Sequence, residues 1–301
     1  MYVIETVPDD APEQSEQLGT KYKFWYRDVF GRSCLFKEGR PGTGENWAEK
    51  VCCELCTLMG IPHGHYELAV WKNHKGVVTP MFVPEGGRLV FGNELLAKFV
   101  PDYDGARRVR APKHTLSRVM AVMLGVGGIE MPPEYDPPME IKDVAGVFLG
   151  YLMLDALVSN QDRHDENWGL ILLPGSRIIL APTFDHASSL GRNESDEGRI
   201  ERLTTNDRGR SVERYVERAR SALYGRSGER PLTTLEAFEE AARLPEVQEA
   251  KGYWLSQLAA ARIADFRFIL DNIPPTEISG PAKTFALKML EINRERLLSV
   301  R

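Results

Sequence analysis

Asp162 stands five residues before Asn167 in the run Asn160-Gln-Asp162-Arg-His164-Asp-Glu-Asn167-Trp-Gly, and Asp185 follows eighteen residues after that Asn in Ala181-Pro-Thr-Phe184-Asp185-His186. A loop of this spacing can turn Asp162 and Asn167 toward one volume. The short apolar stretch after it reads as a hairpin that returns the chain, with Asp185, to the same place. Phosphoryl transfer to a hydroxyl requires such a set. One carboxylate orients the hydroxyl and accepts its proton, while an amide oxygen and a second carboxylate hold Mg²⁺ against a triphosphate. Asp162 is therefore the candidate base, and Asn167 and Asp185 are the candidate metal ligands. A single loop Asp is most often a turn or cap residue; the ordered combination carries the reading.

A cation on the α- and β-phosphates, held by an acid, would complete such a site. Lys37 ends the apolar stretch Cys34-Leu-Phe-Lys37 and is the candidate. The helix that follows offers Glu45, Glu49 and Glu54 as partners. Glu49 is preferred, because positions 49, 52, 53 and 56 share a helix face and an acid on that core-facing side needs a counter-ion. Backbone amides for the phosphates are expected from Gly19-Thr20-Lys21, just ahead of the hairpin that leads to Lys37. Pro41-Gly-Thr-Gly44 lacks a Gly-Lys-Ser/Thr ending and is read as a connector. Met81-Phe-Val83-Pro closes the last strand before the helical part and is the expected hinge, with Met81 and Val83 as adenine contacts. His164 is expected to hold the loop backbone, since an Asp base aided by metals needs no His. Arg163 is left between a phosphate contact and an ion pair with Asp165 or Glu166.

These groups need elements to carry them. Residues 22–29 alternate bulky and polar side chains and 33–37 return after a turn, a hairpin pattern. A helix over about 45–59 ends at Gly60. Strands at 66–71 and 77–83 follow, joined by 72–76. From about Gly92 the pattern is helical, with apolar periodicity at 115–125 and at 141–158, the latter leading directly to Asp162. After a hairpin at 168–173 and 177–181, the last third reads as almost wholly helical. It has a capping box at Thr233 and Glu236, one helix over about 246–272, and Pro281 opening the last helix. The sequence thus predicts an α+β, two-lobed, protein-kinase-like chain. Its parts are a loosely docked segment 1–18, a β-rich nucleotide-binding lobe 19–85 and a helical lobe 86–301.

Composition narrows the class. A chain of 301 residues suits two lobes around a cleft. There is no apolar run of about 18 residues and no signal-peptide pattern. The net charge of −5 gives no reason to expect direct nucleic-acid binding, so a cytoplasmic protein is expected. Cys52, Cys53 and Cys56 lie in one apparent helix, Cys52 and Cys56 one turn apart among apolar residues with no His at zinc-finger spacing, and are read as buried thiols. Nine arginines against five acids between Arg199 and Arg230 are read as a solvated face rather than a recognition surface.

Together these residues resemble the HipA-like serine/threonine kinases of bacteria. Asn160-Gln-Asp162-Arg-His164-Asp-Glu-Asn167 resembles that family's N-x-D-x-H-x-x-N loop, and Ala181-Pro-Thr-Phe184-Asp185 its metal-binding Asp segment. Gly19-Thr-Lys-Tyr-Lys23 and Lys37 resemble its phosphate hairpin and ATP lysine, and Glu49 its paired acid. The resemblance spans about residues 15–300 and implies ATP and Mg²⁺ as cofactors. Asp162 would be the base, Asn167 and Asp185 the Mg²⁺ ligands, and Lys37 the ATP anchor. It further implies a toxin-like regulator that phosphorylates a translation-related protein such as an aminoacyl-tRNA synthetase and is neutralised by a DNA-binding antitoxin. Two departures accompany it. The chain is expected to be a short form without the N-terminal subdomain of the longer toxins. The family's inhibitory serine has only Ser15 as a counterpart, in uncertain register. Phosphoinositide kinases share the Asp-Arg-His loop, so the alternative is a kinase of the same fold acting on a lipid or small molecule, or a nucleotide-binding pseudokinase.

Overall fold

The computed structural model describes residues 1–12, 14–15, 22–103, 112–125 and 127–300. The expected phosphate loop Gly19-Thr20-Lys21 lies outside the described residues. The N-terminal part is built from β1 (Ile4–Thr6), β2 (Gln14–Ser15), β3 (Lys23–Arg27), β4 (Ser33–Glu38), α1 (Glu45–Met59), β5 (Glu67–Trp71) and β6 (His74–Pro80). The strands form one sheet in the order β1-β5-β6-β4-β3-β2. Phe24 and Phe36 face each other across β3 and β4 and are buried with Tyr26, Ala69 and Val78. Because side chains alternate along a strand, burying Phe36 on that face sends Lys37 to the opposite one. α1 packs across β5 and β6 and ends at Gly60, whose φ of +70° closes the helix as expected.

Two expectations for this part are corrected. Residues 2–7 are docked rather than loose: β1 pairs in parallel with β5, Val7 is buried, and the Tyr2 amide donates to Asn272 O at 2.7 Å. The strand read as 77–83 begins at His74. Lys72 and Asn73 take positive φ (+47° and +67°), making a two-residue hairpin turn, so no five-residue loop is needed.

The remainder holds β7 (Arg88–Phe91), α2 (Gly92–Phe99), α3 (Leu116–Gly125), β8 (Ile129–Glu130), α4 (Val144–Val158), β9 (Gly169–Leu172), β10 (Ile178–Leu180), α5 (Asp196–Thr204) and α6 (Val212–Glu217). It continues with β11 (Arg220–Tyr224), β12 (Pro231–Thr233), α7 (Thr234–Ala241), α8 (Gln248–Ala260), α9 (Ile263–Asn272) and α10 (Gly280–Leu298). The expected hairpin is β9–β10; it is flanked by β7 and β8 in a second sheet. β11 and β12 pair within the region read as helical. The single helix expected over 246–272 is two. Ala261 is extended, the Arg262 and Asp265 pair opens α9, and Arg294 of α10 donates to the carbonyls of Leu258, Ala259 and Ala261 that α8 leaves unpaired.

α4 is the axis of this part. All of its residues are buried, as an all-round apolar helix requires, against α7, α8 and α10. Gly150 lets Trp254 approach so closely that a Cβ there would lie 2.6 Å from the indole. Ser159 ends the helix with φ +54°, and Asn293 of α10 donates to Leu157 O and Ser159 Oγ, so the exit from α4 into the catalytic run is fixed.

Candidate active site

Asp155 is the only charged residue in α4. It accepts two hydrogen bonds from Arg163, Nε to Oδ2 at 2.7 Å and Nη2 to Oδ1 at 2.8 Å, and both side chains are buried. Arg163 also donates to Asn167 O at 2.7 Å and Thr183 Oγ1 at 2.9 Å. Burial disfavours the guanidinium charge, but Asp155 more than offsets this and holds its pKa above the usual value. Neither reading of Arg163 therefore applies. Its guanidinium is buried and pairs with neither Asp165 nor Glu166; it is a pin that ties the candidate catalytic run to α4 and to the Asp185 segment. Asp165 instead accepts from Tyr103 Oη.

This pin shapes the loop. Asn160 Nδ2 donates to Asp155 Oδ1, and its Oδ1 accepts from the Asp162 amide at 3.1 Å. Asn167 Nδ2 donates to Asp162 O at 2.7 Å, which leaves the amide oxygen as the group an ion would meet. His164 Nδ1 accepts from the Glu166 amide at 3.1 Å, the loop-holding role expected of it. Asp162 itself is about half exposed, its side chain at 48%. Its Oδ2 accepts from Ser188 Oγ at 3.2 Å. It opens on a cleft of about 190 Å³ lined by Gln161, Asp162, Ser188, Ser189, Arg192 and Tyr215, among others.

The second cluster joins the two parts of the chain. Lys37 Nζ donates to Asp185 Oδ1 and lies 3.8 Å from Glu49 Oε2. Burial opposes the Lys37 charge, but Asp185 and Glu49 outweigh it and raise its pKa. Glu49 Oε1 accepts from the His186 amide at 2.6 Å, whereas the buried Oε2 accepts no hydrogen bond among the described residues. Of the other acids of α1, Glu54 pairs with Lys50 and Glu45 with Arg40 and Arg192. Asp185 has φ +57°, a conformation a non-glycine residue adopts only when its surroundings impose it. Thr183 and His186 flank this segment, with Thr183 Oγ1 2.7 Å from His186 Nε2 and 2.9 Å from Arg163. The oxygens of Asn167 and Asp185 are hard donors of the kind Mg²⁺ takes, and fit such an ion.

The Met81 amide donates to Ser33 O at 2.8 Å, so Met81 offers its exposed side chain rather than its N–H to this side of the molecule. Val83 packs with Phe82 against the cluster of Ile171, Ile179 and Phe184. Most arginines of the 199–230 stretch pair with acids, as a solvated face would, including Arg202 with Glu194, Arg210 with Glu201 and Arg230 with Glu236. Sequence reasoning passed over Asp155, Thr183, His186 and Ser188. Asp155 had a signal, a lone acid in an apolar helix; the other three had none, because their partners are tertiary.

No protein-family model matches the chain, and no characterised protein matches it by sequence. Solved structures do match it. The Helicobacter pylori proinflammatory kinase CtkA aligns with 96% of this chain and 92% of its own, at 18% identity and a TM-score of 0.73. The toxin HipA of Shewanella oneidensis, solved with HipB and its operator DNA, aligns with 96% of this chain and 68% of its own, at 12% identity and a TM-score of 0.57. The fold is kinase-like. At these identities the likeness is one of architecture, and it bears out the α+β, sheet-then-helix organisation and, at the level of fold, the HipA-like resemblance. Among the described residues no helix is long and apolar enough to cross a membrane.

Proposed function

We propose that the chain is an ATP- and Mg²⁺-dependent protein serine/threonine kinase of the HipA-like type. The observation that carries this reading is the meeting of Lys37, from the N-terminal sheet, with Glu49 and Asp185, 148 residues away in sequence from Lys37. In this reading Asp162 accepts the proton of the attacking hydroxyl, and Ser188 holds its carboxylate in position. Asn167 and Asp185 would hold Mg²⁺, which would neutralise the charge on the transferring phosphate. With Asp185 engaged there, Lys37 keeps Glu49 as its counter-ion and directs its charge at the phosphates. Glu49 Oε2, which has the Lys37 charge 3.8 Å away but no hydrogen bond among the described residues, supports this exchange of partners. Met81 and Val83 would contact the adenine, and Gly19, Thr20 and Lys21, outside the described residues, would supply amides to the phosphates as the sequence suggests.

The cleft at Asp162 supports a protein substrate. At about 190 Å³ it is smaller than the roughly 300–1,000 Å³ of pockets that enclose whole small molecules, and suits a hydroxyl presented by a larger partner. By the resemblance, that partner is a translation protein such as an aminoacyl-tRNA synthetase. A cytoplasmic toxin-like role with an antitoxin partner belongs to the same proposal. Cell extract incubated with labelled ATP and Mg²⁺ tests it. Wild type should label protein on serine or threonine, and Asp162→Ala should not. Label on lipid or metabolite alone would replace the protein substrate with a small one, and no transfer with no nucleotide bound would overturn the enzyme reading.

A further inference from the structure

Cys53 in α1, and His63 and His65 between α1 and β5, each place a ligand atom within 4.8 Å of the others, the one such His/Cys/Asp/Glu group among the described residues. The kinase reading uses none of the three. His63 Nδ1 lies 2.7 Å from Ile61 O; a carbonyl only accepts, so Nδ1 carries the proton and Nε2 keeps its lone pair. The hydroxyl nearest Nε2, Thr57 Oγ1 at 3.3 Å, also lies 3.2 Å from Cys53 O, so its one proton has a backbone carbonyl to go to when an ion takes the imidazole lone pair. A backbone carbonyl that fixes the proton on one ring nitrogen and leaves a lone pair on the other is how metal-bound imidazoles are held. Cys53 Sγ accepts the Tyr66 amide at 3.3 Å, a bond that favours thiolate. The His63 and His65 rings lie 4.8 Å apart, and His65 is exposed, which gives an ion a way in.

We propose that Cys53, His63 and His65 bind a borderline-soft divalent ion, of which Zn²⁺ is the type, with solvent in the fourth position. One thiolate and two imidazoles select such an ion over Mg²⁺, which takes oxygen donors. Tetrahedral bond lengths put these donors about 3.3–3.6 Å apart, so the group closes by about 1 Å, within reach of the exposed His65 side chain. The site touches the catalytic cluster. Cys53 lies one turn after Glu49, His63 bridges Thr183, and the Tyr66 hydroxyl is 3.4 Å from the Asp185 amide. Binding therefore ties α1 to the segment that carries Asp185, and raises thermal stability.

The test is a Zn²⁺ titration of the full chain against a chromophoric chelator, in excess Mg²⁺, with Co²⁺ absorption as a reporter of sulfur ligation. Wild type should bind one ion per chain, with a thiolate-to-cobalt charge-transfer band. Cys53→Ser and His65→Ala should each weaken binding by about tenfold or more, a loss of about 1.4 kcal/mol. Asp185→Asn should leave it unchanged, which separates this site from the proposed Mg²⁺ site. Zn²⁺ binding that survives both Cys53→Ser and His65→Ala, or that disappears in Asp185→Asn alone, would overturn the proposal. Because His65 is exposed, His65→Ala folds even if Cys53→Ser does not.

Discussion

The catalytic loop and the Lys37 cluster are both buried polar arrangements, yet they are finished to different degrees. In the loop, Asp155, Asn160, Arg163 and Asn167 satisfy one another through bonds of 2.7–2.8 Å that include a two-pronged Arg–Asp pair. In the cluster, two acids share one lysine, and a buried Glu49 oxygen has no hydrogen bond among the described residues. A fully satisfied network holds one geometry, and a partly satisfied one is poised to exchange partners. In the proposed reading, the side that would position the base is fixed in advance, whereas the side proposed to meet the nucleotide has room for another charged group.

Four changes would break or sharpen this contrast. The largest effect is expected from Asp155→Ala. It strands a buried Arg163 and should cost about 3–5 kcal/mol in urea denaturation, with Asp155→Leu/Arg163→Met recovering much of the loss. A loss below about 1 kcal/mol would mean that the pin is not one. Acid should act on the same side of the molecule. The buried His114 donates from Nδ1 to Ala222 O and accepts at Nε2 from Trp168, the residue after Asn167. Burial lowers its pKa from 6.5 to about 4. With the folded value depressed, the stability it contributes is complete above about pH 6.5 and is lost as pH falls toward 4. At 1.36 kcal/mol per pH unit this is about 3 kcal/mol. Denaturation curves at pH 7, 5.5 and 4 should show this acid sensitivity in wild type and much less of it in His114→Gln.

The cluster should respond in the opposite way. Glu49→Gln keeps an acceptor for the His186 amide and should change stability by about 1 kcal/mol, yet lower kcat/KM for ATP about tenfold or more. If it costs as much stability as Asp155→Ala, the cluster is a structural pin as well and the contrast fails. The smallest effect is expected from Ser188→Ala. Loss of one bond to Asp162 should reduce kcat several-fold and leave ATP affinity unchanged, since it orients the base without touching nucleotide; an equal loss in ATP affinity would place Ser188 on the other side of the site.

The spacing of Asp162, Asn167 and Asp185, and the strand that ends near Lys37, were legible because short-range patterns encode them. So were the Thr233–Glu236 capping box and the Gly60 helix end. What escaped depends on partners distant in sequence. The sequence leaves Arg163 between a phosphate contact and an acid two or three residues away, but its partner is Asp155, reached across the turn that ends α4. The break between α8 and α9 follows from Arg294, more than thirty residues downstream. The docking of residues 2–7 depends on an open edge of β5 and on Asn272. The three cysteines of α1 are buried, as their apolar neighbours indicate, but only the turn after Gly60 brings His63 and His65 to Cys53.

The most direct test of the account compares wild type with Asp162→Asn in one preparation, measuring Mg²⁺-dependent ATP binding and γ-phosphate transfer side by side. The account predicts equal nucleotide binding and a loss of transfer of about 10²-fold or more, the contribution of a positioned general base. Asp162→Asn transferring phosphate at the wild-type rate, or a wild-type protein that binds no nucleotide with Mg²⁺ present, would contradict it.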